Sequence, residues 1–105
     1  MLELDGDNFE DEVLEGEGLT VVDFWSEKCD PCMELKPKIE ELEEQYEGKA
    51  RFAELNLKGN RRLAMGQQVM GLPSVLFYED GEKVEHLSGD DLSIDDIEKT
   101  LNELL

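Results

Sequence analysis

Basic residues are scarce in this chain: 10 Lys and Arg stand against 28 Asp and Glu, a net charge of −18 over 105 residues. A surface of that sign repels phosphate backbones and anionic headgroups alike, so neither nucleic acid nor a membrane surface is expected as a partner. No stretch approaches the roughly 20 consecutive apolar residues that a membrane span requires. The opening "MLELDGDNFEDEV" has neither the basic start nor the apolar run of a secretory signal, which leads to the expectation of a cytoplasmic protein. Histidine occurs once, at His86, and cysteine twice. Because a structural zinc site takes four ligands, the nitrogen and sulfur donors do not suffice, and no metal or other cofactor is expected. Linkers, internal repeats and low-complexity segments are missing too, so residues 1–105 are expected to form one domain, large enough to bury a core without metal or disulfides. The acidic residues are spread along the chain and interleaved with Leu, Val, Ile and Phe, the pattern of a solvated surface and not of a disordered acidic tail.

What is present reads as alternating strands and helices. Leu2 and Leu4 flank Glu3 as a short strand, and Phe9, Val13 and Leu14 recur at helical spacing after Asp7, a candidate cap. "LTVVDFW", residues 19 to 25, is apolar on both faces and predicts a central strand. From Cys29 on, Cys32, Leu35, Ile39, Leu42 and Tyr46 return every three or four residues, predicting a long helix that Pro37 interrupts with a kink and Gly48 closes. "ARFAELNL" predicts a strand at 50–57, and "NRRLAMGQQV" a helix opened by Asn60. In "SVLFYEDGEKVEHL", Asp80-Gly81 is the dipeptide of a tight antiparallel hairpin. "SIDDIEKTLNELL" begins with a Ser-x-x-Asp cap and repeats Ile94, Ile97, Leu101 and Leu104 on one face. The order βαβαβαββα predicts an α/β fold with a mixed sheet flanked by helices.

The chemistry is concentrated in "WSEKCDPC". A CxxC pair is a redox dithiol, half of a metal site or a structural staple. As a staple it would close a loop of four residues, worth about 2 kcal/mol before strain, in a compartment that keeps thiols reduced. The redox use needs one thiol that ionises readily and a second within reach. A helix N-terminus supplies both, through its partial positive charge and through the one turn that separates the cysteines. Asp23 is the second chemical feature: a carboxylate inside "TVVDFW" is costly to bury ionised, so a raised pKa and a proton-handling role are expected.

These residues resemble the thioredoxin family. "VVDFWSEKCDPC" looks like its active-site strand and turn, Pro37 falls where its active-site helix kinks, "GLPS" looks like its cis-proline turn, and "LSG" with the helix after it matches as well. The resemblance covers essentially the whole chain and implies a thioredoxin fold and a thiol-disulfide oxidoreductase that reduces protein disulfides. Cys29 is then the nucleophile and Cys32 the resolving thiol, an order that also follows from Cys29 lying nearer the helix N-terminus. Asp23 is implied to lie behind Cys32 and assist its deprotonation. Pro31 holds the turn, Pro73 in cis lies against the disulfide, and the backbone of Leu72 pairs with substrate, with Trp25, Gly71 and Gly89 bordering the same surface. Without the resemblance a trans Pro73 is preferred, since only about 5–6% of X-Pro bonds in folded proteins are cis. The implied partners are a thioredoxin reductase and disulfide-containing proteins.

Three departures stand out. Lys28 and Asp30 replace the usual Trp and Gly around the first cysteine, one favouring and one disfavouring its thiolate. Glu54 stands where a lysine usually faces the buried aspartate, so that either two carboxylates face each other, one holding its proton to higher pH, or Glu54 swings to solvent. With the acidic surface, these changes point to a specialised reductant whose targets carry basic docking surfaces, as in atypical members that serve amino-acid-fermenting anaerobes, for instance as donors to glycine-reductase-type systems. A monomer is the default for so acidic a domain. Two rival classes remain at this point: a binding module of the same fold with an incidental dithiol, and an oxidant or isomerase. The second would have a potential near −200 mV or above, against about −270 mV for thioredoxin.

Overall fold

Alternation along the strands decides which side chains meet. A computed structural model describes residues Met1–Leu105. Its strands β1 (Leu2–Leu4), β2 (Leu19–Trp25), β3 (Arg51–Asn56), β4 (Ser74–Glu79) and β5 (Glu82–Ser88) form one sheet in the order β1-β3-β2-β4-β5. β3 runs parallel to both β1 and β2, whereas β4 is antiparallel to β2 and β5. β2 and β4 are covered on both faces, as their continuous apolar runs require, and β5 is an edge strand with charged residues turned outward.

Helices α1 (Asp30–Gln45) and α3 (Ile94–Leu104) cover one face, burying Leu35, Ile39, Leu42, Ile97 and Leu101 against Val21, Phe52, Val75 and Phe77. The other face is covered by a short π-helical segment, Glu10–Leu14, and by α2 (Arg61–Gly66), with Phe9, Val13, Ala64 and Val69 packed on Val22, Phe24, Leu55 and Leu76. Phe9 meets Tyr78 edge-on, ring centroids 6.2 Å apart, an arrangement that adds to simple area burial.

The order βαβαβαββα holds if the π-helical segment stands for the first helix. Two caps differ from expectation. Asp7 does not cap the first segment; Asp5 does the local work, its Oδ1 accepting from the N–H groups of Asp7 and Asn8 while Asn8 Oδ1 accepts from Asp5 N–H. Asn60 precedes α2 without a side-chain cap and donates from Nδ2 to the Asn56 carbonyl instead, fixing the strand-to-helix turn. The Asp80-Gly81 turn and the Ser93–Asp96 capping box form as their sequence signals require, with Asp80 and Gly81 at φ of 51° and 86°.

Candidate functional site

The end of β2 and the start of α1 build the site. Cys29 is the N-cap of α1, and the Cys32 N–H donates to Cys29 Sγ at 3.2 Å. A sulfur at this position faces the unpaired N–H groups of the first turn, which favour negative charge on it. Cys29 and Cys32 are joined as a disulfide, Cys29 partly accessible and Cys32 buried. Asp30 and Pro31 form the first turn, Pro31 where a missing N–H costs nothing. Pro37 lies inside α1 and offers no N–H to the carbonyl one turn back. Lys28 is exposed, its N–H donating to Ser26 Oγ.

The Leu72–Pro73 peptide is cis and Pro73 is buried. Two hydrogen bonds hold this turn: Ser74 Oγ donates to the Gly71 carbonyl at 2.6 Å, and Gly89 N–H donates to the Pro73 carbonyl at 3.2 Å. Gly89 has φ of 121°, which a side chain would resist. The Leu72 N–H and carbonyl are bonded to no other group of the chain.

On the face that α1 covers, β2 turns Val21, Asp23 and Trp25, and β3 turns Phe52, Glu54 and Asn56 the same way. Asp23 and Glu54 are register partners on adjacent parallel strands, so their side chains start as neighbours. Asp23 is 1% exposed, and neither carboxylate oxygen has a hydrogen-bond partner. Burial pushes its pKa up from 3.8 to about 7; Glu54 adds to the rise, Lys36 opposes it, and Glu40 adds a little. Glu54 forms neither a bonded carboxyl pair with Asp23 nor a solvent-facing side chain. Its Oε1 accepts from Lys36 Nζ at 2.9 Å, and the two side chains are only 14% and 20% exposed.

Lys36 is the residue that sequence reasoning missed. Its ammonium also stands 3.7 Å from the centroid of the Trp25 ring, whose Nε1 is buried without a partner. One signal pointed to it: Lys36 lies four residues after Cys32, hence on the same side of α1. Among the side chains, no group of three or more His, Cys, Asp or Glu is placed to hold a metal ion.

The fold carries a buried strand carboxylate, a cysteine pair at a helix N-terminus and a cis-proline turn, and the Thioredoxin family model matches residues 1–103. The chain belongs to the thioredoxin family. It is 46% identical to a thioredoxin of Acetoanaerobium sticklandii over 98 residues, 93% of each chain. It is 44% identical to a thioredoxin of Peptoclostridium acidaminophilum over 98 residues, 93% of this chain and 89% of that one, and 39% identical to a thioredoxin of Chlorobaculum thiosulfatiphilum over 82 residues, 78% and 76%. A thioredoxin with a CxxC pair is a protein thiol-disulfide oxidoreductase, and the family acts with a thioredoxin reductase and disulfide-containing targets. No helix is long and apolar enough to cross a membrane.

Proposed function

We propose that residues 1–105 act as a single cytoplasmic domain, a monomer, that reduces protein disulfides with electrons from a thioredoxin reductase. Cys29 at the N-cap of α1, with Cys32 buried one turn behind it, is the observation that carries this reading. In the reduced protein, Cys29 thiolate attacks one sulfur of the target. The target S–S bond breaks, a mixed disulfide forms, and the departing thiolate takes a proton. Cys32 then gives its proton to Asp23 and attacks Cys29 Sγ, so that the second target sulfur leaves as thiolate and Cys29–Cys32 closes. Two electrons have moved from the dithiol to the target, and a reductase returns two to reopen the bond.

A carboxylate with a pKa near 7 suits the base role at neutral pH, because it accepts a proton without holding it. Trp25, Pro31, Gly71, Leu72, Pro73 and Gly89 form the surface on which the target lies, the open Leu72 backbone pairing with it. Lys28 and Asp30 flank the nucleophile and tune partner choice, while Glu54 modulates Asp23 from β3. The charge of −18 favours partners with basic surfaces around the contact and a restricted target set.

The test is the reduction potential measured together with reduction of an insulin-type disulfide. A potential near −270 mV with turnover that Cys29→Ser abolishes is expected. A potential at or above about −200 mV would assign an oxidant or isomerase instead. Function that survives both Cys29→Ser and Cys32→Ser would leave only a binding module.

A further inference from the structure

The acidic residues skip one stretch of the chain. Residues 55–78 contain no Asp or Glu, although they carry Lys58, Arg61 and Arg62. This stretch runs from the end of β3 through α2 and the cis-proline turn into the buried strand β4, so its exposed part, residues 57–72, is the segment that meets the loop before Cys29. Lys28, just before Cys29, joins it: Ser26, Glu27, Lys28, Asn56, Lys58 and Arg61 line a polar recess of about 290 Å³. Three cations there face a single carboxylate, and none of them has an acidic partner within 4.0 Å.

Arg61 also lines the neighbouring recess, an apolar groove of about 230 Å³ formed with Leu57, Met65, Val69, Met70 and Leu72. Met65 is 60% and Met70 80% exposed, an unusual placement for large apolar side chains and one that lets flexible thioethers adapt to a partner. The groove therefore reaches the cis-proline turn at one end and the cationic recess at the other, with Arg61 between them.

We infer that this double recess selects protein targets whose disulfide-bearing segment carries an apolar side chain for the methionine groove and, next to it, carboxylates for Lys28, Lys58 and Arg61. The inference rests on the reductase reading above and adds the chemistry of the segment that enters the site. It is compatible with partners that are basic farther out. On approach a partner senses chiefly the summed charge, which is itself largely screened beyond a Debye length of about 8 Å, whereas at contact it meets the local cations. Phosphate polymers do not fit, because the surrounding acidic surface repels them once they extend past the recess.

The experiment uses the full chain, pre-reduced, and three disulfide-linked peptides identical except that the residues flanking one cysteine are Glu, Gln or Lys. Single-turnover rate constants are compared. At about 0.15 M salt, where the summed charge is screened beyond about 8 Å, the Glu peptide should react about three- to tenfold faster than the Gln peptide, and the Lys peptide slower than both. The ratio should shrink toward one at about 1 M salt. In the Lys58→Gln/Arg61→Gln double variant it should fall toward one at about 0.15 M salt too, with the Gln peptide still reduced. Equal rates for all three peptides, or a faster Lys peptide, would overturn the acidic-segment inference and leave the reductase reading in place. Reduction of none of them would overturn that reading as well.

Discussion

Lys36 holds its ammonium 3.7 Å from the centroid of the Trp25 ring and thereby links Trp25 to the charged pair beside the buried aspartate. The same ammonium takes Glu54 Oε1 at 2.9 Å, and Glu54 is the strand neighbour of Asp23. In the family the cation opposite the aspartate usually comes from β3; in this chain β3 supplies the carboxylate and α1 the cation. The exchange keeps a positive charge acting on the buried aspartate while adding a second negative one.

Removing that cation tests the arrangement. In Lys36→Met, Asp23 loses the one group that holds its pKa down, so its titration should move above about 7. Glu54 loses its partner in a half-buried position, which should cost about 1–3 kcal/mol of stability. Carboxyl titration by NMR and urea unfolding check the two effects separately. An unmoved Asp23 would show that the ammonium does not act on it.

Glu54→Gln should have the opposite sign. The amide removes the negative neighbour that helps raise Asp23 and releases Lys36 to act on Asp23 alone, so the Asp23 titration should fall below about 7. It should stay well above 3.8, because burial is the largest cause of the rise and is untouched. An unchanged titration would mean that the two carboxyl groups do not sense each other.

Stability should depend on pH through Asp23. The native protein holds the Asp23 proton up to about pH 7, whereas the unfolded chain releases it near 3.8. Between those values the native state binds more protons, so its stability falls as pH rises and is level again above them. Asp23→Asn removes this slope. Its stability relative to the parent should therefore increase by up to about 4 kcal/mol from about pH 4 to about pH 8, as measured by denaturant unfolding. A constant difference across that range would contradict the raised pKa.

Much of this is legible in the sequence. The apolar run of β2, the Asp80-Gly81 hairpin, the Ser93 capping box and the cysteine spacing are local signals, and each element formed where its signal lay. What stayed hidden depends on partners distant in sequence. A lysine between Leu35 and Pro37 reads as one more charged residue on a helix, and only the approach of Glu54, 18 residues on, turns it inward. The two caps were missed for a local reason instead: Asp7 and Asn60 carry cap chemistry, but Asp5, Asn8 and Asn56, all within four residues, offer better-placed groups. Gly81 reads as a turn glycine, yet a side chain there would also run into the Leu14 carbonyl, a contact made by packing the π-helical segment on the hairpin.

The proton path gives the last prediction, on the second half of the reaction. If Asp23 takes the proton from Cys32, release of target from the mixed disulfide should quicken as Asp23 ionises, with an inflection near pH 7. In Asp23→Asn the buried amide cannot take that proton. Release should slow by roughly 10–100-fold at neutral pH, at or below the low end of what a positioned base contributes. The first step, attack by Cys29, should change far less, because Cys29 is the partly accessible sulfur at the N-cap and does not depend on a base behind it. Rapid mixing with a chromogenic disulfide resolves the two steps: a normal first phase with a slowed second assigns the proton to Asp23. Equal slowing of both phases would assign Asp23 a structural part only, and an inflection that persists in Asp23→Asn would move the base to another group.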